Sequence, residues 1–368
     1  METYPLNSLS IENAKEKQYH LIDIITRHFR GDEILSLGDL GVVKGLNKPR
    51  YTKKVEESLA EYFGVERAMF VRGAGTGALR FGFMSFMKPG DQILVHDAPI
   101  YPTSQTTLES MGIQPIYVDF HNQDDIKKVI RTHPCLKGAL IQHTRQKMDD
   151  CYHLANVIQI IRSEAPSLTI ITDDNYAAMK VEHIGVQVDA DLSSFSLFKL
   201  LGPEGVGLIL GKGKLIKRME KLNYSGGSQV QGFEALEALK GLIYAPVFLA
   251  IQAQVNDQLV LTLNNGAVEG VKRAFLANAQ SKVLLVEFTE PIAEEVLLHA
   301  NELGAAPNPI GAESKYEFVP MFYRVSGTFL KSDPTLSSKM IRINPLRSGP
   351  NTILRILKTA IQRSGNIE

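Results

Sequence analysis

Lys199 stands in Ser194-Phe195-Ser196-Leu197-Phe198-Lys199, followed by Leu200-Leu201-Gly202-Pro203-Glu204-Gly205-Val206-Gly207. A lysine at the end of an apolar strand, three residues after a serine and just before a glycine-rich turn, is placed to be desolvated. Burial disfavours its ammonium form, and the neutral amine is a nucleophile. Two further groups carry chemistry. Gly73-Ala74-Gly75-Thr76-Gly77-Ala78 sits between a strand and a helix, where backbone N–H groups and the helix N-terminus attract a phosphate. Asp173, in Ile170-Ile171-Thr172-Asp173-Asp174-Asn175-Tyr176, ends another apolar strand with a carboxylate. Each has an ordinary explanation by itself: a strand-end cation, a tight turn, a turn-capping aspartate. A P-loop is excluded because no Lys-Ser/Thr pair follows the glycines. An acyl-transfer site on Ser196 lacks the Ser-Asp-Asn and Lys-Thr-Gly segments that accompany Ser-x-x-Lys in such enzymes.

The elements that must position these groups follow from periodicity. From about Thr52 the chain alternates helical and strand-like segments. A helix with Val55, Leu59 and Phe63 on one stripe is closed by Gly64, a strand Ala68 to Val71 enters the glycine loop, a helix runs to Met87, and Ile93 to His96 is the next strand. Short apolar strands recur at Gln114 to Val118, Ala139 to Ile141, Leu168 to Ile171, Leu192 to Ser196 and Val206 to Leu210. This alternation predicts an α/β fold: a doubly wound, mainly parallel sheet with helices on both faces and its site outside the carboxyl ends of the strands. Gln229 to about Leu263 reads as a long helix kinked or broken near Pro246. Beyond it, strands at Val283 to Phe288, Phe318 to Val325 and Met340 to Ile343, with helices at Ile292 to Leu303 and Asn351 to Gln362, make a smaller C-terminal α+β domain. The expected division is an N-terminal segment over 1–50, a large domain over 51–245, and the inter-domain helix with the small domain over 246–368.

One cofactor needs all three chemical groups. Pyridoxal phosphate requires N–H donors for its phosphate, an anion that keeps its pyridine nitrogen protonated, and a lysine amine for its aldehyde. Tyr101, just after the second strand, supplies an aromatic face for the ring. The competing reading is a nicotinamide dinucleotide on the same glycine loop, with Asp97 as the ribose carboxylate. That reading leaves Lys199 without a role.

With these residues in view, the chain resembles fold-type I pyridoxal-phosphate enzymes over nearly its whole length, most closely class V aminotransferases, the lyases of cysteine and methionine metabolism, and selenocysteine synthase. The stretch from Ser194 to Gly207 is similar to the class V pattern of serine, two residues, Schiff-base lysine and a Gly-Pro-x-Gly turn. The resemblance implies that Lys199 bonds the cofactor, that Asp173 pairs with its ring nitrogen, and that Ser196, with Ser194 beside it, joins Gly75, Thr76 and Gly77 at the phosphate. It implies that Tyr101 stacks on the ring and that Tyr176 touches the ring hydroxyl. It also implies a homodimer with shared active sites, in which Tyr51 and Arg50, and the loop Tyr224-Ser225-Gly226-Gly227-Ser228-Gln229 through Ser228, reach the partner's cofactor. Arg342 in Met340-Ile341-Arg342-Ile343-Asn344 looks like the arginine that binds the substrate α-carboxylate, with Arg347 in reserve. The departure lies at residues 142–147, where the family's asparagine is missing. His143 or Arg145 could replace it, and Arg145 could bind an acidic or phosphorylated substrate group. Transamination is the first expectation, a β- or γ-eliminating lyase the second, and a selenocysteine-synthase-like transferase the third.

Bulk properties bound these readings. With 368 residues, 44% hydrophobic and 22% charged, and forty basic residues against forty acidic, the chain is long enough for a large core and has no global field for nucleic acid or an anionic membrane. Cys135 and Cys151, without a CxxC or a His/Cys cluster at ligand spacing, argue against a disulfide framework and a structural metal. The opening residues lack a leader pattern, and no apolar run reads as a membrane span, so a cytoplasmic enzyme with a small amino-acid substrate is expected.

Overall fold

In the computed structural model the described residues are 2–365, apart from 146, 279 and 281. The elements in chain order are α1 (Ile11–His28), α2 (Gly31–Ile34), α3 (Arg50–Phe63), β1 (Arg67–Arg72), α4 (Ala74–Met84), β2 (Gln92–His96), α5 (Pro102–Ser110), β3 (Gln114–Val118), α6 (Gln123–Thr132), β4 (Leu136–Gln142), α7 (Leu154–Glu164), β5 (Thr169–Asp173), β6 (Leu192–Ser196), β7 (Val206–Gly211), α8 (Gly213–Leu222) and α9 (Gly232–Asn264). The small domain follows with β8 (Val271–Ala277), β9 (Val283–Phe288), α10 (Ala293–Glu302), β10 (Met321–Arg324), α11 (Gly327–Ser332), α12 (Leu336–Lys339), β11 (Met340–Asn344) and α13 (Pro350–Ser364).

The large sheet has seven strands in the order β1-β7-β6-β5-β4-β2-β3. Pairings from β6 through β5, β4 and β2 to β3 are parallel, and β7 runs antiparallel to both its neighbours. Its strands are nearly continuous apolar runs because helices cover both faces. On one face Leu21, Leu59, Phe195, Leu208 and Leu239 join α1, α3 and α9 to the sheet. On the other, Phe83, Ile171, Ile209 and Ile216 bury α4 and α8. The parallel strands thereby deliver the ends of β4, β5 and β6 to one edge of the layer, where the site must lie. The second sheet, β10-β11-β9-β8, is antiparallel throughout.

Three expectations change. First, α9 is one helix of 33 residues that runs through Pro246 without a break. A proline inside a helix removes a hydrogen bond at a cost of about 3 kcal/mol. Here Leu242, Ala245 and Leu249 are buried in the large core, while Val247 and Ala250 meet Leu9 and Ala14. That packing outweighs the lost bond. The same helix puts Leu259 and Leu263 into the small-domain core, so it belongs to both domains. Second, it is also long and apolar enough to cross a bilayer, with an 18-residue window of mean hydropathy 1.4, yet 56% of that window is buried inside the protein. Third, the strand expected over Phe318 to Val325 shrinks to β10, because Phe318 is exposed and the residues before it form a tight loop, while β8 had no counterpart in the sequence reading.

Candidate active site

A cavity of about 600 Å³ opens at the carboxyl ends of β4, β5 and β6 and under the small domain. Ala74, Gly75 and Thr76 reach it from the start of α4, Tyr101 from the N-cap of α5, Asp173, Asn175 and Tyr176 from the end of β5 and the turn after it, Ser196, Phe198 and Lys199 from the end of β6 and the turn after it, and Arg342 from β11.

Asp173 is buried, and Oδ1 accepts both the backbone N–H (3.0 Å) and the side-chain amide (2.7 Å) of Asn175. These bonds leave its second oxygen to the cavity. Burial pushes its carboxyl above the ordinary range, while Asn175 and Lys199 oppose that shift. Asn175 ties the site together. Its Oδ1 accepts the backbone N–H of Ser196 at 3.0 Å and the Lys199 amine at 3.4 Å. Lys199 lies with Nζ 4.0 Å from the ring centre of Tyr176 and 6.0 Å from that of Tyr101. Burial lowers its amine from 10.5 to about 8, against the pull of Asp173 and Glu313. Tyr176 adopts a left-handed backbone (φ 63°) that a bulky residue rarely takes, which places its ring beneath the amine.

The start of α4 offers the N–H groups of Gly75 and Thr76 without intrahelical acceptors. A Cβ on Gly75 would fall 2.5 Å from the Asn175 side chain, so only glycine fits between helix start and asparagine. Gly77 belongs elsewhere. Its N–H donates to the carbonyl of Gly73 (2.8 Å), and a Cβ there would lie 2.0 Å from the carbonyl of Arg72. It shapes the turn and does not line the cavity.

Arg342 stacks on Tyr323, its neighbour across β10 and β11, at 4.2 Å, and its Nε donates to the carbonyl of Arg324 at 2.7 Å. Its two terminal nitrogens remain for a ligand. Arg347 packs on Phe248, donates to the carbonyl of Glu317 and lies outside the cavity lining.

Several other sequence candidates fall away from the cavity. Ser194 Oγ donates to the carbonyl of Thr172 inside the sheet, so of the two serines only Ser196 lines the cavity. His143 points behind β5, where Nδ1 bonds the buried Asp174 at 2.7 Å, and it lines a separate cavity. Arg145 touches both cavities, but its guanidinium donates to the carbonyls of Tyr4 and Tyr152 and to Asn278 Oδ1. Tyr51 stacks on Phe29 and Ser228 lies in a single turn after α8; neither lines the cavity of its own chain. Asn175 and Gln142 were missed by sequence reasoning. Gln142, paired in register with Asp173, stands at the cavity where the family asparagine was sought, and its place as the last residue of a strand was the available signal.

One cluster outside the cavity has metal-like spacing: ligand atoms of His96, His121 and Asp150 lie within 4.8 Å of one another. All the ring nitrogens are committed. His96 accepts from the backbone of Phe120 and donates to Asp150, and His121 accepts from the backbone of Cys151 and donates to Asp119.

Comparison with known sequences decides the family. The profile of the family described as Aminotransferase class-V matches residues 48–238, and that of the YhfS-like C-terminal domain matches residues 257–357. The chain belongs to the class-V aminotransferase family. Within it, the chain is 52% identical over 361 residues to protein YhfS of Escherichia coli K12, described as uncharacterized, covering 98% of this chain and 99% of that protein. The crystal structure of the pyridoxal-5'-phosphate-dependent protein YhfS from Escherichia coli superposes with a TM-score of 0.97, at 51% identity and over 99% of this chain and 100% of that one. A cysteine desulfurase of Serratia proteamaculans is 27% identical over 198 residues, 48% of this chain and 46% of that protein. A carbon-sulfur lyase involved in aluminum resistance from Clostridium novyi shares the fold (TM-score 0.72, 15% identity, 96% of this chain and 91% of that one). The chain is thus a fold-type I member of the pyridoxal-phosphate enzymes, and its residues fit that cofactor: an anion-attracting helix start that only Gly75 allows, a buried carboxylate with one uncommitted oxygen, and a desolvated lysine beside them.

Proposed function

We propose that this protein is a pyridoxal-phosphate-dependent enzyme that removes the α-proton of an amino acid and transfers the amino group to an oxo acid. The observation that carries the reading is the convergence of Asp173, Lys199, the α4 start and Arg342 on one cavity. Bound there, pyridoxal phosphate supplies an electron sink for the charge left on the α-carbon. Asp173 would hold the proton on its ring nitrogen, Gly75, Thr76 and Ser196 its phosphate, and Tyr101 its ring face. Arg342 would take the substrate carboxylate in two parallel hydrogen bonds. With an amine near 8, about a quarter of Lys199 is neutral at pH 7.5, against about one part in a thousand for an ordinary lysine. Asn175 Oδ1 and the Tyr176 ring fix the direction from which that amine removes and returns a proton.

Elimination of a β or γ substituent is the second reading, and Tyr101 favours it. Its ring stands at the mouth near Lys199, and burial together with Asp173 pushes its hydroxyl upward, so it stays protonated and can donate to a leaving group. A homodimer with shared sites is supported by the arm between α2 and α3. There Leu35, Leu37 and Leu40 are 83%, 89% and 75% exposed, an apolar display that a second copy would cover.

The test is direct. Purified protein should take up pyridoxal phosphate and absorb in the visible, and borohydride followed by peptide mass spectrometry should find the cofactor on Lys199. Incubation with amino acids and pyruvate should yield alanine. Ammonia and an oxo acid formed without an acceptor would replace transamination by elimination, and a protein that takes up no cofactor would overturn both.

A further inference from the structure

We propose that Lys180 is a positioning residue that docks the small domain on the large one through Glu313 and Gln280, and so fixes the span between Lys199 and Arg342. This rests on the reading above, in which Lys199 bonds the cofactor and Arg342 takes the α-carboxylate.

The two groups belong to different domains. Lys199 stands after β6 of the large sheet and Arg342 on β11 of the small one, so the span between them is only as fixed as the joint between the domains. Lys180 crosses that joint. It lies in the segment after β5 that also carries Asn175 and Tyr176, where its N–H donates to the carbonyl of Ala177 (3.0 Å) and its carbonyl accepts from Leu9 (2.8 Å). Its Nζ donates to the carbonyl of Gln280 (2.9 Å), between β8 and β9, and to Glu313 Oε1 (2.5 Å), in the loop before β10. Gln252 on α9 donates to the same oxygen at 3.1 Å. Toward Lys199, the ring of Tyr176 lies 5.5 Å from Lys180 Nζ and 4.0 Å from Lys199 Nζ. Toward Arg342, Gln280 Oε1 accepts from the Tyr323 hydroxyl, and the Tyr323 ring stacks on Arg342 at 4.2 Å. One run of contacts thus joins Lys199, Tyr176, Lys180, Gln280, Tyr323 and Arg342.

Lys180 and Glu313 are 6% and 1% exposed, so both charges are desolvated by their own chain. Burial lowers the ammonium and raises the carboxyl, and each partner opposes the shift of the other. Glu313 Oε2 is sealed from solvent without a partner among the described residues, so its charge depends on the donors at Oε1. A buried pair of this kind adds little stability over apolar side chains of the same volume, because desolvation offsets the attraction. What apolar packing does not supply is direction. The bonds at Lys180 and Glu313 weaken steeply when bent or stretched, and they admit one register between the segments they join.

The test uses cofactor-loaded wild type, Lys180→Met/Glu313→Gln, Tyr323→Phe and Arg342→Gln. The double variant removes both charges, so no buried carboxylate is left unpaired, and Tyr323→Phe removes one hydroxyl while keeping the ring on Arg342. Dissociation constants are read from the cofactor's visible band for L-alanine, L-methionine and L-lysine. The same is done for ethylamine, 3-(methylthio)propylamine and pentane-1,5-diamine, which lack only the α-carboxylate. Wild type should bind at least one amino acid about tenfold or more tighter than its amine, the worth of hydrogen bonds to a charged group, and Arg342→Gln should abolish that preference. The double variant should lower the preference about fivefold or more with amine binding and cofactor uptake unchanged, and Tyr323→Phe should lower it about threefold or more. A merely structural role would weaken amine and amino acid together or neither, and either result in the double variant overturns the proposal. An unchanged preference in Tyr323→Phe overturns the link from Lys180 to Arg342, and it decides alone where the double variant does not fold. A preference that survives Arg342→Gln, or a band unmoved by every amino acid, overturns instead the reading on which this proposal rests.

Discussion

Replacing Lys199 by methionine should make the cofactor-free protein more stable, by an amount that depends on pH in a fixed way. The Lys199 amine titrates at about 8 in the folded protein and at an ordinary 10.5 when burial is absent. Between those values the unfolded chain binds the proton that the folded chain has released, so stability rises with pH across that window. Below pH 8 both states are protonated, and the folded protein carries the whole cost of a desolvated ammonium. At 1.36 kcal/mol per pH unit that cost is about 3 kcal/mol. Methionine matches the length of the buried stem without the charge. Urea titrations of the two cofactor-free proteins should therefore differ by about 3 kcal/mol at pH 6.5, about 1.5 kcal/mol at pH 9.5 and less than about 0.5 kcal/mol at pH 10.5, with the variant the more stable. Adding pyridoxal phosphate should reverse the order, since a ligand at about one thousand times its dissociation constant stabilises by about 4.1 kcal/mol and only wild type can bond it covalently. A wild type as stable as the variant at pH 6.5, or a difference that does not change with pH, would refute the claim that Lys199 is held as a desolvated amine.

Three other changes separate the roles around the cavity. Asp173→Asn should weaken cofactor binding by about tenfold or more in a fluorescence titration, because the one buried carboxylate lining the cavity is lost while the Asn175 contacts can rearrange. Arg342→Gln should leave the visible band intact and raise KM for any α-amino acid by about 10- to 100-fold, the worth of a two-bonded carboxylate contact, with a smaller change in kcat. Far from the cavity, Lys48→Met should cost about 3–5 kcal/mol in denaturation without altering cofactor affinity. It strips the 2.7 Å partner from Glu56, which is buried at 2% exposure and also accepts the N–H of Phe70.

What could be read in the sequence divides along a physical line. Lys199, Asp173 and the Gly75-Thr76 turn were legible because each sits at the end of a short apolar strand, and strand ends of a parallel sheet meet at one edge whatever the helices do. Their position follows from periodicity alone. Gln142 occupies the same kind of place, as the last residue of β4; His143, the next residue, turns to the back of the layer, to Asp174, while Gln142 stays at the cavity. Ser194 was misplaced for a related reason. A serine in a wholly buried strand must find an acceptor locally, and the carbonyl of Thr172 on β5 is nearer than any ligand. Asn175 was not legible, since its side chain reaches Asp173, Ser196 and Lys199 from a turn whose conformation, φ 63° at the next residue Tyr176, no composition or spacing encodes. The long helix marks the other limit. Propensity placed a kink or a break at Pro246, and burial of Leu242, Ala245 and Leu249 on one side of that turn, with Val247 and Ala250 on the other, kept the helix unbroken. Strand-end chemistry is thus fixed by a pattern two residues long, whereas loop conformations such as that at Tyr176 are fixed by contacts between segments far apart in the chain.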